Sequence, residues 1–477
     1  MGQSLVVYGA ARLPLAKGEP HMALDYTWPC WPQAEALIEQ RLEEFLAAHA
    51  PARALTTELY DRASTRLFDW LDHLVVRAGE PFVQAAQAVG YRPEPVDAPV
   101  GAVAYAHPGA QLPRLLVVAG AAATPQTTAV AVRAESIADF LLARGLSSPI
   151  VGDPLSPYRL ATMWSQEGRA VLVVERRGYR GYLPQQVAAG YATRYLAARE
   201  RWATRPRRPD DDAQGMVATL EIARNLVAEV GRDTAAWIVF EVERDYWQRR
   251  NWAGQIQKAR QDRLGLGWAN HDHHTFRSSR PAFTTLISTL ETLGFACRER
   301  FYAGQEAGWG AQVLEQPACG LVVFADVDLQ PGETDLDFAH ITLPPGQRLG
   351  TVGLWCALHG ESLLGAGMHH LEAQFEFDRL RDDLATVGVG MMKPFSDAPH
   401  LRQAFTKGER WPVAPDRLQR PRAAGQITED QYHTFLTEGA IGSHLENLQR
   451  RQGYKGFNQH NVSSIITATD PRHAVTA

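Results

Sequence analysis

Three histidines, His271, His273 and His274, crowd into the stretch NHDHHTFRSSR, and Arg277 follows in the same run. Side chains two apart on a strand share a face, so His271, His273, Thr275 and Arg277 would point one way and Asp272, His274 and Phe276 the other. A neutral imidazole is a good ligand for iron, zinc or nickel, and a guanidinium on the same strand can grip a carboxylate through two parallel hydrogen bonds. His273 and Arg277 together therefore suit an organic acid held at a metal. A lone histidine is more often a satisfied polar residue than a ligand, but these are not alone. None of the 16 histidines falls between His107 and His271, and twelve lie from His271 onward. His370 opens a second strand in GAGMHHLEAQFEF, and Glu446 stands in SHLENL. Two histidines and a carboxylate leave half an octahedron open, the arrangement of non-haem iron(II) enzymes that bind a chelating acid and then dioxygen.

The elements that must position these residues follow from periodicity. HDHHTFR reads as a strand, Ser279 as a cap and Pro281 as the opening of the helix PAFTTLISTLETLGF, with strand-like GWGAQVLEQ and GLVVFADVDL after it. One strand, one helix and several strands make a βαβββ module. A second such unit begins at Gly365. Its strand alternates His369, Leu371, Ala373, Phe375 and Phe377 on an apolar face with His370, Glu372, Gln374 and Glu376 on a polar one, and the helix-like DRLRDDLATVGV follows. Thr428 and Gln431 fit a capping box before the segment that carries Glu446. The N-terminal half is mixed α/β: Ala34 to Ala48 and Leu59 to Val76 carry apolar residues at helical spacing, and RAVLVVERR reads as a buried strand. The stretch RWATRPRRPDDDAQG interrupts any pattern and predicts a domain boundary or long exposed connection near Arg205 to Ala213, dividing residues 1–205 from 206–477.

Composition narrows the class. A chain of 477 residues with 45% hydrophobic and 21% charged side chains is expected to form more than one globular domain. With 48 basic against 53 acidic side chains there is no broad positive field for nucleic acid or an anionic membrane. Cys30, Cys297, Cys319 and Cys356 are too scattered for a disulfide framework or a zinc knuckle. The opening MGQSLVVYGAARLPLAKGEP lacks the basic flank and long apolar core of a signal peptide, and no run approaches a membrane span, so a cytoplasmic protein is expected. Oligomeric state is not legible.

The blocks DHHTFRSS, LETLGFACRERFYAGQEAGWGAQVLEQP, LVVFADVDL, GMHHLEAQF and GSHLENLQRRQGYKGFNQHNVSSIITATDPR resemble, in order, those of the 2-oxoadipate dioxygenase/decarboxylase family of the vicinal oxygen chelate superfamily, over residues 264–472. The resemblance implies an α+β fold, with βαβββ modules forming a curved sheet around a metal site. It implies iron(II) held by His273, His370 and Glu446, and Arg277 on a carboxylate of a 2-oxo acid that reacts with dioxygen. His369 stands where the family has asparagine, so His369 competes with His370, which is preferred for its polar face; His444 competes with Glu446 from the same strand face. Two rivals stay open: a vicinal oxygen chelate isomerase, ring-cleaving enzyme or hydrolase using another divalent metal, and a non-catalytic protein that binds a small acid or metal. In the N-terminal half, LDHLVVR echoes HDHHTFR and ERRGYRGYLPQ echoes QRRQGYKGFNQ, which a degenerate duplication would explain. Against it, Leu67, Phe68, Leu71, Leu74 and Val75 make a helical stripe that would put His73 on an amphipathic helix.

Overall fold

The computed structural model describes residues 27–119, 128–304, 307–346, 348–458 and 470–472. The N-terminal stretch read above for a signal peptide lies outside them. Two mixed sheets organise the described chain. The first contains β1 (Leu71–Arg77), β2 (Arg92–Glu94), β3 (Ala102–Ala106), β4 (Arg114–Val118), β5 (Thr128–Arg133), β6 (Tyr158–Gln166) and β7 (Arg169–Arg176), ordered β2-β3-β4-β1-β5-β7-β6. The second contains β8 (His271–Arg277), β9 (Ala296–Tyr302), β10 (Trp309–Gln316), β11 (Leu321–Asp328), β12 (His370–Gln374), β13 (Ser396–Ala398), β14 (Leu401–Phe405), β15 (Glu409–Trp411) and β16 (Ala440–Arg450). Its order is β13-β14-β16-β12-β8-β11-β10-β9, with β15 on the free end of β16.

The two sheets share a plan. β1 runs parallel to β4 and antiparallel to β5, and β5 runs parallel to β7. β8 stands in the same relation to β11 and β12, and β12 to β16. Each parallel return begins with a helix and passes through intervening strands, as in a βαβββ unit: Pro81–Ala88 follows β1, Phe283–Thr292 follows β8 and Phe377–Ala385 follows β12, where two more helices, Pro415–Ala423 and Glu429–Glu438, precede the last strand. After β5 comes Ile137–Leu142, and the bridge Val151 to Leu160 stands in for a full strand.

Why these residues build these units is clearest in the first unit of the second sheet. Every residue of β8 is buried, its apolar Phe276 and its His274 against the outer helices and its polar alternates inward. The helix Phe283–Thr292 buries Phe283, Leu286, Ile287 and Leu290 at helical spacing against the sheet. Burial of each such side chain stabilises by about 1.5–3 kcal/mol. Pro281 sits in a 3-10 turn that leads into this helix, but Ser279 makes no side-chain cap. Its N–H donates instead to Glu361, which serves the same end of the chain reversal.

Two sequence expectations need correcting. The helix predicted over Leu59 to Val76 stops at Ala63, where Ser64 adopts a left-handed φ of 56°, and β1 begins at Leu71 after a 3-10 turn. The apolar residues there satisfy both periods; Leu74 and Val76 reach one core, while His73 and Val75 face the other way, so His73 is a buried strand residue. The stretch Arg205 to Ala213 is not an exposed connection throughout. Arg205 is wholly buried, with Nη2 donating to Glu243 at 2.8 Å and its guanidinium 3.9 Å from the centroid of Trp202. The helix before it, Tyr191–Ala203, already packs in the core that backs the second sheet, through Tyr195, Ala198 and Trp202. In return, Leu264, Leu266 and Ala269 pack in the core of the first. The predicted capping box of Thr428 and Gln431 is present at the helix Glu429–Glu438. Among the described residues no helix is long and apolar enough to cross a membrane.

Candidate metal centre

β16, β12, β8 and β11 lie side by side in the second sheet, and their inward residues converge on one cavity. His273, Thr275 and Arg277 of β8, His370 and Glu372 of β12 and Glu446 of β16 all line it. The register explains the convergence: Glu372 pairs with Glu446 across β12 and β16, and His370 pairs with Thr275 across β12 and β8. Of the three clustered histidines only His273 faces this space. His274 packs edge-on against Phe240, and His271 turns back so that its Nδ1 lies 2.9 Å from the carbonyl of Trp268. The register shift between β12 and β8 at Leu371 and Ala373 marks where the alternation expected for His271 breaks.

The nitrogens aimed at the cavity are tied from behind. His273 Nδ1 lies 2.9 Å from Asp272 Oδ1, and Asp272 is held by Arg450, Gln374 and Gln111. With Nδ1–H donated to a carboxylate, the lone pair of Nε2 is left facing inward. His370 Nδ1 is 2.7 Å from Nδ1 of His369, so His369 stands behind His370, its ring edge-on to Trp355. His369 also reaches the cavity wall. His444 is turned to Thr406, 2.9 Å from its carbonyl, and is not among the lining residues.

Both inward nitrogens meet one oxygen. Glu372 Oε1 lies 2.8 Å from His273 Nε2 and 2.7 Å from His370 Nε2, and Thr275 donates to the same atom. Glu446 Oε2 is 3.8 Å from His370 Nε2, and Gln403 donates to its Oε1 at 2.7 Å. Ligand atoms of His273, Glu372 and Glu446 all fall within 4.8 Å of one another. Glu372 was not singled out from the sequence; its only signal there was its place on the polar face, two residues after His370.

Electrostatics point the same way. Burial pushes the Glu446 carboxyl up to about 8 and raises Glu372 well above the usual range, with Glu446 adding to the rise. Burial also lowers His273 to about 4 and His370 well below its ordinary value, so both imidazoles are neutral and able to ligate. The two buried carboxyls are met at close range by neutral groups, His273, His370 and Thr275 at Glu372 and Gln403 at Glu446, and a divalent ion is a group that would neutralise them. The donor set fits a metal. Further along β8, Arg277 is buried with no hydrogen-bond partner at Nε or Nη1, 3.8 Å from Asp326 Oδ2 and 5.6 Å from the centroid of Trp355. Burial lifts Asp326 to about 7, against the opposing pull of Arg277. Aromatic rings flank the two imidazoles: Phe324 and Phe457 each lie 4.9 Å from His273, and Phe405 lies 4.9 Å from His370.

The paired parallel and antiparallel strands around a cavity of imidazoles and carboxylates complete the pattern. The fold is built of βαβββ modules, set in mixed sheets. No protein-family model and no curated protein matches the chain. Among solved structures it is similar to a triple variant of 4-hydroxymandelate synthase from Streptomyces coelicolor, at 12% identity and a TM-score of 0.29, covering 84% of this chain and 98% of that one. It is also similar to methylmalonyl-CoA epimerase from Mycobacterium tuberculosis, at 13% identity and a TM-score of 0.22, covering 38% of this chain and 88% of that one. A second group of possible ligands, Glu291, Cys297 and His340, lies nearer the surface. There His340 is already bound to Glu291 and Asp337, which raise its pKa against burial and favour an imidazolium over a ligand.

Proposed function

We propose that the chain is a non-haem iron(II) dioxygenase that oxidatively decarboxylates a 2-oxo acid, as in the 2-oxoadipate dioxygenase/decarboxylase family it resembles. One observation carries the reading: the Nε2 atoms of His273 and His370 converge within 2.8 Å on one buried carboxylate oxygen, beside a second carboxylate and a guanidinium whose Nε and Nη1 make no hydrogen bond. Iron(II) held by His273, His370 and Glu446 would supply a Lewis acid with open positions for a keto acid and dioxygen. The chain's own residues do the rest. Asp272 fixes the tautomer and plane of His273, and His369 does so for His370. Arg277, whose Nε and Nη1 make no hydrogen bond although Nε stands 3.8 Å from Asp326, takes a substrate carboxylate through a paired contact and so sets the orientation of the acid. Phe324, Phe405 and Phe457 keep water from the reacting end. Overall, a 2-oxo acid and one dioxygen would give carbon dioxide and the 2-hydroxy acid one carbon shorter: 2-oxoadipate would give 2-hydroxyglutarate.

The position of Glu372 favours a second reading, a vicinal oxygen chelate isomerase or hydrolase. With Glu372 as a fourth ligand the set becomes two imidazoles and two carboxylates, which is harder and leaves fewer open positions, and suits a divalent metal without redox chemistry. The deciding experiment offers anaerobic iron(II)-loaded protein a series of 2-oxo acids, then oxygen, with products identified by mass. A dicarboxylic 2-oxo acid near 2-oxoadipate in length should change the metal's absorption before oxygen, then consume oxygen and release carbon dioxide, while the matching monocarboxylic acid reacts poorly for want of a partner for Arg277. An aromatic 2-oxo acid is the next substrate to try. If no 2-oxo acid perturbs the metal or consumes oxygen, the dioxygenase reading fails and the second one stands.

A further inference from the structure

The first sheet carries the same polar clamp as the second. Asp72 accepts from Arg176 Nε at 2.5 Å and Nη2 at 2.8 Å, and lies 2.7 Å from His73 Nδ1. Asp272 accepts from Arg450 Nε at 3.0 Å and Nη2 at 2.9 Å, and lies 2.9 Å from His273 Nδ1. Each guanidinium turns its remaining nitrogen to carbonyls of the next turn, those of Tyr179 and Gly181 for Arg176, those of Tyr454 and Gly456 for Arg450. An aromatic ring then closes on each histidine, Tyr182 on His73 at 4.8 Å and Phe457 on His273 at 4.9 Å.

What differs is the chemistry. Ala129 pairs with Val75 as His370 pairs with Thr275, so an alanine stands where the second sheet has a histidine. Ala131, opposite His73, takes the place of Glu372, and Leu172, paired with Ala131, takes that of Glu446. Tyr182 packs on this face in an apolar cluster with Val75, Leu116, Ala129 and Ala170. The clamp is kept, with His73 in the place of His273, while the other three metal-facing side chains are gone.

The N-terminal half also touches the clamp of the C-terminal one. The loop between β3 and β4 carries Gln111, whose Nε2 donates to Asp272 Oδ2 at 2.7 Å and whose N–H donates to the carbonyl of Gly453. The matching turn between β10 and β11 reaches only the segment after β7, where Arg180 donates to the carbonyl of Pro317. We infer that the N-terminal module is a metal-less copy of the C-terminal one and that its Gln111 is a positioning residue, which holds His273 for the metal by fixing Asp272. This inference rests on the metal centre proposed above. Gln111 is exposed apart from this contact, so its replacement leaves the packing intact, and the effect at the metal must pass through Asp272. Partners one step behind a ligand characteristically change metal affinity by about 10–100-fold.

The test is a cobalt(II) titration of the metal-free full chain, followed by the absorption of the bound ion, with thermal unfolding as a second measurement. Gln111→Met should weaken cobalt binding about tenfold at unchanged melting temperature, Gln111→Glu at least as much because it faces Asp272 with a second negative charge, and Asp272→Asn more than either. In the Asp272→Asn background, Gln111→Met should add little, since its route is already cut. Wild-type affinity in both Gln111 variants overturns the inference, and so does an undiminished effect of Gln111→Met in the Asp272→Asn background. A wild-type chain that binds no cobalt refutes the metal centre itself and this inference with it.

Discussion

His273 shows what one residue contributes and how far it can be read from sequence. Its strand alternation, with Arg277 four places on, was legible because a two-residue period is local. That Glu372 shares its cavity was not, since an acidic residue on a polar face looks like a solvated one until strand register brings it to within 2.8 Å of an imidazole. The ligand assignment predicts that His273→Ala, His370→Ala and Glu446→Ala each lose stoichiometric metal while remaining folded, measured by metal analysis beside circular dichroism, because a three-legged site missing one leg cannot hold a labile ion. Retention of metal by all three would direct attention to Glu372, His369 and His444. Arg277→Lys should keep the metal and lose activity equivalent to about 2–4 kcal/mol in kcat/KM, since an ammonium cannot reproduce a planar paired contact. Unchanged kinetics would remove Arg277 from the substrate's path.

At the scale of elements, the strands that carry the site were easier to read than the one that only resembles them. β8, β12 and the helices after them follow unambiguous periods, whereas Leu67, Leu71, Leu74 and Val75 fit a helix as well as a strand, and the left-handed turn at Ser64 decided the matter. β16 illustrates a different constraint. It pairs with β12, β14 and β15, and Gly442 lies under the indole of Trp411, where a β-carbon would overlap the ring. Trp411 is itself fixed, donating Nε1–H to the carbonyl of Arg250 at 2.9 Å. Gly442→Ala should therefore displace β15 and cost about 1–3 kcal/mol in denaturant unfolding. A variant as stable as the parent would show that Trp411 moves aside freely.

For the molecule as a whole, the two clamps divide stability from chemistry. Burial acts to raise the Asp72 carboxyl, but Arg176, His73 and Arg114 outweigh it and hold it well below 3.8. Because the folded value is depressed, Asp72 stabilises fully above the unfolded value and loses that contribution as pH falls through the folded one. Asp72→Ala leaves Arg176 buried without its partner, so a loss of about 3–5 kcal/mol is expected near neutral pH, shrinking on acidification below about pH 4 as the parent loses the same interaction. Metal content should stay at the parent's level, measured on the folded fraction; loss of metal in step with Asp72 would mean the first sheet holds an ion of its own. The position of β16 also bears on how the chain is made. It is the last strand of the described chain, yet it lies between β12 and β14 and carries Glu446. On the ribosome, the first sheet can pair before the second has emerged, but β12 and β14 wait for residues 440–450 to be synthesised. Through that interval the two strands expose unpaired edges and an unfinished cavity, the kind of surface that invites aggregation or a chaperone.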